Sequence, residues 1–231
     1  MYTKLDPDFI LTTIDKLAHR INERFSGAGL VAVCRELFTL AEVNKKNSAK
    51  IARNSFSLRA IVILVTLAGI AALLYAIVNL KISSGKMSAS DWVQASNAAL
   101  SSIVMLGAAF LFLVTIENRV KRTRALKALH ELRSIAHVID MHQLTKDPYA
   151  EHSQLVPTRS SPKRTLEGEL LARYLDYCSE MLALTSKVAA LYAQNFHDSV
   201  VVTAVNELES LASGLSRKIW QKITIIHQHL K

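Results

Sequence analysis

The chain has 231 residues, 50% of them hydrophobic, a formal net charge of +9, and only seven Gly and four Pro. That balance excludes a disordered polar chain and a turn-rich β-sandwich, and leaves a helix-forming protein with an apolar excess. The basic charge fits either a nucleic-acid binder or a membrane protein with its cations on one side, and the placement of the apolar residues favours the second.

In chain order, Asp6-Pro7 supplies a capping residue and a proline at the first helical position. Ile10, Ile14, Leu17, Ile21 and Phe25 follow at helical spacing, and Ser26-Gly27-Ala28-Gly29 ends the helix. Gly27-Ala28-Gly29 lacks the preceding strand that a dinucleotide site requires. A second helix begins near Leu30, with Val33, Leu37 and Leu40 inward. No Gly or Pro separates it from the apolar run beyond, so one continuous rod is expected.

Residues 60–80 and 92–116 carry no charge. The first run would be about 31 Å long as a helix, against a hydrocarbon core of about 30 Å. The second is longer, and both are expected to span a bilayer. Lys45, Lys46, Lys50, Arg53 and Arg59 precede the first run, and Arg119, Lys121, Arg122, Arg124 and Lys127 follow the second. The intervening loop, 81–91, holds only two cations, Lys81 and Lys86, with Asp91. The excess of cations on both flanks predicts cytoplasmic termini, an external loop, and Trp92 at the outer interface. No cleavable signal peptide is expected, so the first span would be its own insertion signal.

Neither run contains an Asp, Glu, Lys, Arg or His, which argues against a proton relay or voltage sensor. Asn97, Ser101, Ser102, Thr115 and Glu117 are the candidate pore-lining groups. Ala68, Ala72 and Ala76 form a small-residue stripe on the first run, and Gly107 marks a small patch on the second; both permit close helix packing. Arg59 and Glu117 are expected to pair across the inner boundary, or Glu117 to form an acidic ring in an oligomer.

From Trp92 to about Thr145 there is no proline and only Gly107, which predicts one long helix with a cytosolic extension over 117–147. Ala125, Leu129, Leu132, Ala136 and Ile139 mark its apolar face. Beside that face run His130, Arg133, His137 and Asp140, with His142 just beyond. Such residues suit a metal or proton-handling site. His130 and His137 lie about 10.5 Å apart along the axis, too far to hold one ion, whereas His137 and Asp140 are close enough. The plainer reading is a buried polar network that fixes helix register. The segment His130-Glu131-Leu132-Arg133-Ser134 is not the His-Glu-x-x-His of a zinc protease. No nucleophile motif, phosphate loop or cysteine pair is present, so no cofactor is expected and catalysis is a minority reading.

Residues 148–162, with Pro148, Pro157 and Pro162, form a linker, and Ser161-Pro162 is expected to cap the next helix. Leu170, Tyr174, Tyr177, Met181, Leu184, Val188 and Leu191 then follow a heptad-like series. Asp198 is expected to cap the last helix, with Val201, Val205, Leu208, Ala212, Leu215 and Ile219 on one face. Cys34 and Cys178 fall in cytosolic parts, where a disulfide is not expected.

The expected architecture is all-α: a transmembrane hairpin of two helices (59–80 and 92–116), and a cytosolic bundle built from both flanks (1–58 and 163–231, with the extension of the second span). Its partners would be the lipid bilayer, further copies of the chain and a cytosolic protein, with no nucleic acid. The leading expectation is self-assembly through the bundle, with ion conduction through the hairpins as its specific form. A membrane-tethered scaffold or signalling module is the alternative, and a metal-dependent enzyme using His137 and Asp140 the second.

Overall fold

A computed structural model describes residues 4–52, 56–83, 88–148, 158–161 and 166–229. Among these, the regular elements are helices: α1 (Pro7–Arg24), α2 (Gly29–Ala52), α3 (Phe56–Ser83), α4 (Ala89–Leu144), α5 (Gly168–Asn195) and α6 (Ser199–His229). The chain divides into two compact units, one of Met1–Ala52 with Arg122–Lys231 and one of Arg53–Lys121.

The first unit is a bundle. Asp6 caps α1 by accepting from the Asp8 amide, with Pro7 in the first turn, as the sequence implies. Ile10, Ile14, Leu17, Ile21 and Phe25 are all buried. The helix ends where the Phe25 amide donates to the Ile21 carbonyl at 2.8 Å, and Gly27, at φ 77°, turns the chain into α2. A side chain at that left-handed φ would be strained.

One apolar core joins α1, α2, α5 and α6 to the second half of α4. Each helix has one apolar stripe and cannot bury it alone, so the five segments close on one another within a single chain. Ala125, Leu129, Leu132, Ala136 and Ile139 supply the face of α4, as their spacing predicts. On α5 the heptad-like series is buried from Tyr174 to Leu191, whereas Leu170, in the first turn, is exposed. On α6 the whole series from Val201 to Ile219 is buried.

Ion pairs tie elements distant in sequence at the bundle surface. Arg20 bridges to Glu180 at 2.6 Å and Arg122 to Asp198 at 2.7 Å, while Lys45 pairs with Asp8. Asp198 also accepts from the Val200 and Val201 amides at 3.1 and 3.2 Å, so it caps α6 while holding α4. Cys34 and Cys178 are buried free thiols.

Some expectations are corrected. Ser161 does not cap α5, which begins at Gly168 after Glu167. Instead its hydroxyl accepts from the Thr158 amide at 2.9 Å, closing a local turn. The short hydroxyl satisfies the nearer amide first. The continuous rod from α2 into α3 depends on residues 53–55, which lie outside the described residues, as does most of the linker.

In the second unit α3 and the first part of α4 are apolar helices. Among the described residues, one helical segment, Trp92–Leu144, is long and apolar enough to cross a membrane, and none of its apolar window is buried. The described apolar stretch of α3, Ile63–Ala72, is shorter, so the second span is not established by the structure. The two helices approach at Gly69: a Cβ there would lie 2.5 Å from Leu106 Cδ2.

Candidate functional site

The polar stripe on α4 does not form the buried network that the spacing suggested. His130 and His137 are exposed, and Arg133 and Asp140 are half-buried. The stripe runs along the edge of the core, where long side chains reach water. Arg133 pairs with Glu207 of α6 at 2.7 Å, and His137 lies in the same shallow groove. Asp140 accepts from Gln143 Nε2 at 2.5 Å. The Gln143 Oε1 atom is buried without a hydrogen-bond partner. Among the described residues no three His, Cys, Asp or Glu side chains converge as a metal site would require.

His142 has a different setting. It borders a cavity of about 680 Å³ at the turn between α1 and α2, lined by Phe25 to Gly29, Met141, His142, Thr145, Lys146, Leu166 and Tyr174. Phe25 and Tyr174 meet edge to face at 5.5 Å and form its aromatic wall. Lys146 Nζ stands 5.2 Å above the Tyr174 ring, and the Tyr174 hydroxyl lies 3.4 Å from His142 Nδ1. Lys222 of α6 fixes this end of α4 by donating to the Gln143 and Lys146 carbonyls at 2.8 and 2.9 Å. Burial lowers the His142 pKa below its usual range, and the Lys146 charge adds to the effect. Burial raises that of Tyr174 and lowers that of Lys222.

Gly29 explains how the imidazole reaches the cavity. A Cβ at Gly29 would sit 2.9 Å from His142 Cε1, so a side chain there would push the ring away from the start of α2. Sequence reasoning placed His142 beside a metal stripe and dismissed Gly27-Ala28-Gly29 for want of a strand. It missed Lys146 and Tyr174 because their meeting requires α4, α5 and the first turn to converge. The one local signal was a pair of glycines at a helix start, where one suffices for the turn.

In the apolar unit, Asn97 and Ser101 are exposed, and Ser102 is half-buried. The Ser102 and Thr115 hydroxyls donate to the Ala98 and Leu111 carbonyls of their own helix at 2.9 and 2.7 Å. Glu117 pairs with Lys121 one turn on, at 2.8 Å. The side chain of Arg59, its expected partner, is outside the described set, as is that of Ala76. Ala68, Ala72 and Gly107 are exposed, and a Cβ on Gly107 would meet open space. The close approach of helices falls instead at Gly69.

Comparison with known proteins finds no matching family model, curated protein or solved structure.

Proposed function

We propose that this is a two-span membrane protein in which α3 and the apolar part of α4 anchor a cytosolic helical bundle that serves as a docking module. One observation carries the reading: none of the apolar window of α4 is buried, while the bundle closes its own core. A helix bearing Ile103, Val104, Met105, Phe110, Leu111 and Phe112, all exposed, is suited to lipid. The contact between Gly69 and Leu106, which lie at similar sequence distances from the end of α3 and the start of α4, supports a hairpin. The cations at both inner flanks support cytoplasmic termini.

The hydroxyls of Ser102 and Thr115 favour an anchor over a pore. Each is satisfied by its own helix, as a hydroxyl facing hydrocarbon must be. Glu117 has a cation beside it in the same chain, which weakens the case for an acidic ring.

Self-assembly into a conducting ring is the second reading. Asn97 and Ser101, one turn apart and both exposed on α4, support it, because several copies could bring them to a common axis.

Cysteine accessibility and mass in nanodiscs test both. Lys16→Cys and Arg217→Cys should label from the cytosolic side and Ser88→Cys from the other. Labelling of Lys16→Cys and Arg217→Cys from opposite sides overturns the topology. A monomer or dimer that is silent in planar bilayers supports the anchor. A closed ring of four or more copies that conducts supports the pore.

A further inference from the structure

We infer that the cavity between the α1–α2 turn, the end of α4 and the start of α5 binds a small, water-soluble organic phosphate with an aromatic or aliphatic body. Its volume, about 680 Å³, lies within the range of small-molecule sites. Its polar groups converge from separate segments: His142 from α4, Lys146 from just beyond its end, Tyr174 from α5 and Ser26 from the turn. Phe25, Leu166 and Met141 supply an apolar wall for the body of the ligand.

The electrostatics select an anion. No acidic side chain is among the described residues that line the cavity. Lys146 makes no ion pair among the described residues and rests on the face of Tyr174. It is not needed as a helix cap either, because Lys222 already donates to the Gln143 carbonyl in the last turn of α4 and to the Lys146 carbonyl just beyond it. An arriving anion would therefore meet, among the described lining residues, a cation with no competing carboxylate, beside the His142 imidazole. Point-like donors approaching from different directions suit tetrahedral phosphate. A planar carboxylate is better matched by the fork of an arginine, and none is among the described residues that line the cavity.

Chain distance from the junction residues favours a soluble ligand over a lipid headgroup. His142 is about 30 Å along α4 from Arg122, where the bundle takes over from the apolar unit, at 1.5 Å per residue. Gly29 is about 35 Å along α2 from Ala52, the other junction, by the same rise. Both helices put the cavity at the end of the bundle remote from the apolar unit's junctions.

The test is calorimetric titration of the full chain in nanodiscs of zwitterionic lipid with phenyl phosphate. Inorganic phosphate, benzoate and benzyl alcohol serve as comparators. Phenyl phosphate should bind saturably at one site per chain and more tightly than any comparator. Lys146→Gln, with its helicity checked by circular dichroism, should weaken binding by about tenfold or more, as loss of a charge-assisted contact does. In wild type the His142 imidazole resonances should shift on saturation, a readout independent of any variant. No saturable binding, unchanged affinity in Lys146→Gln, or an unmoved His142 resonance at saturation overturns the proposal. Benzoate binding as tightly as phenyl phosphate overturns the choice of phosphate.

Discussion

The Tyr192 hydroxyl of α5 donates a 2.6 Å hydrogen bond to Asn44 Oδ1 of α2, with both side chains fully buried. Asn44 in turn donates from Nδ2 to the Leu40 carbonyl at 2.7 Å, so its amide is fixed from both ends. Burial raises the Tyr192 pKa, keeping the phenol a donor throughout the physiological range. Apolar stripes allow helices to slide; a paired phenol and amide inside the core do not. Tyr192→Phe should leave the Asn44 oxygen short of a partner and cost about 1–3 kcal/mol of bundle stability. Tyr192→Phe combined with Asn44→Leu should recover part of that loss. Urea unfolding followed by circular dichroism measures both.

Asp198 combines a helix cap with an ion pair to Arg122, and the two contributions separate by mutation. Arg122→Gln removes only a partner that is itself partly exposed, so its cost should stay within about 1 kcal/mol. Asp198→Ala removes the cap as well and should cost about 1–2 kcal/mol. Equal losses in the two variants would show that the cap contributes nothing, and the comparison is made by thermal unfolding.

Gly69 lies where a Cβ would press on Leu106 Cδ2. Gly69→Ala forces that flexible side chain to move, and Gly69→Ile displaces it further, by about 1–3 kcal/mol of overpacking. Gly69→Ala with Leu106→Ala should restore the approach. Cross-linking yield between cysteines placed on α3 and α4 reads the outcome: it should fall with the bulk at position 69 and recover in the double variant.

Acid should weaken the bundle in two steps. His142 is held below its ordinary value of 6.5 by burial and then by Lys146. As pH falls through that value the unfolded chain binds a proton that the folded one refuses, so stability drops and then levels below the folded pKa. Asp198 is held below its ordinary 3.8, chiefly by hydrogen bonds from Arg122. Its contribution is complete above that value and is lost as pH falls through the folded pKa. Urea midpoints measured between about pH 7.5 and 5 should decline in wild type and lose that slope in His142→Gln.

Both thiols should resist alkylation in the native protein. Burial pushes Cys34 up to about 12 and Cys178 up to about 12, which leaves almost no thiolate near neutrality. Mass spectrometry after iodoacetamide treatment at about pH 8 should find neither modified in the folded chain and both modified in urea. Rapid native labelling of either would mean that the core opens there.

Periodicity alone was enough to read the apolar faces of α1, the second half of α4, α5 and α6, because a stripe that must be buried repeats at the helical spacing. Unbroken apolar composition was likewise enough to mark α4 as a membrane-length helix. The cap residues Asp6 and Asp198 were legible because a cap acts within a few residues. Other features depended on elements far apart in sequence. The stripe from His130 to Asp140 proved to run along the edge of the core, half in water, since its burial hinged on how α6 lies beside α4. The helix contact fell at Gly69 rather than at the alanine stripe, because it depends on which face of α3 meets Leu106. The cavity of His142, Lys146 and Tyr174 required three separate elements to converge. A single helix states which of its faces is apolar; only packing decides which polar groups at the edges of that face come together, and which remain in water.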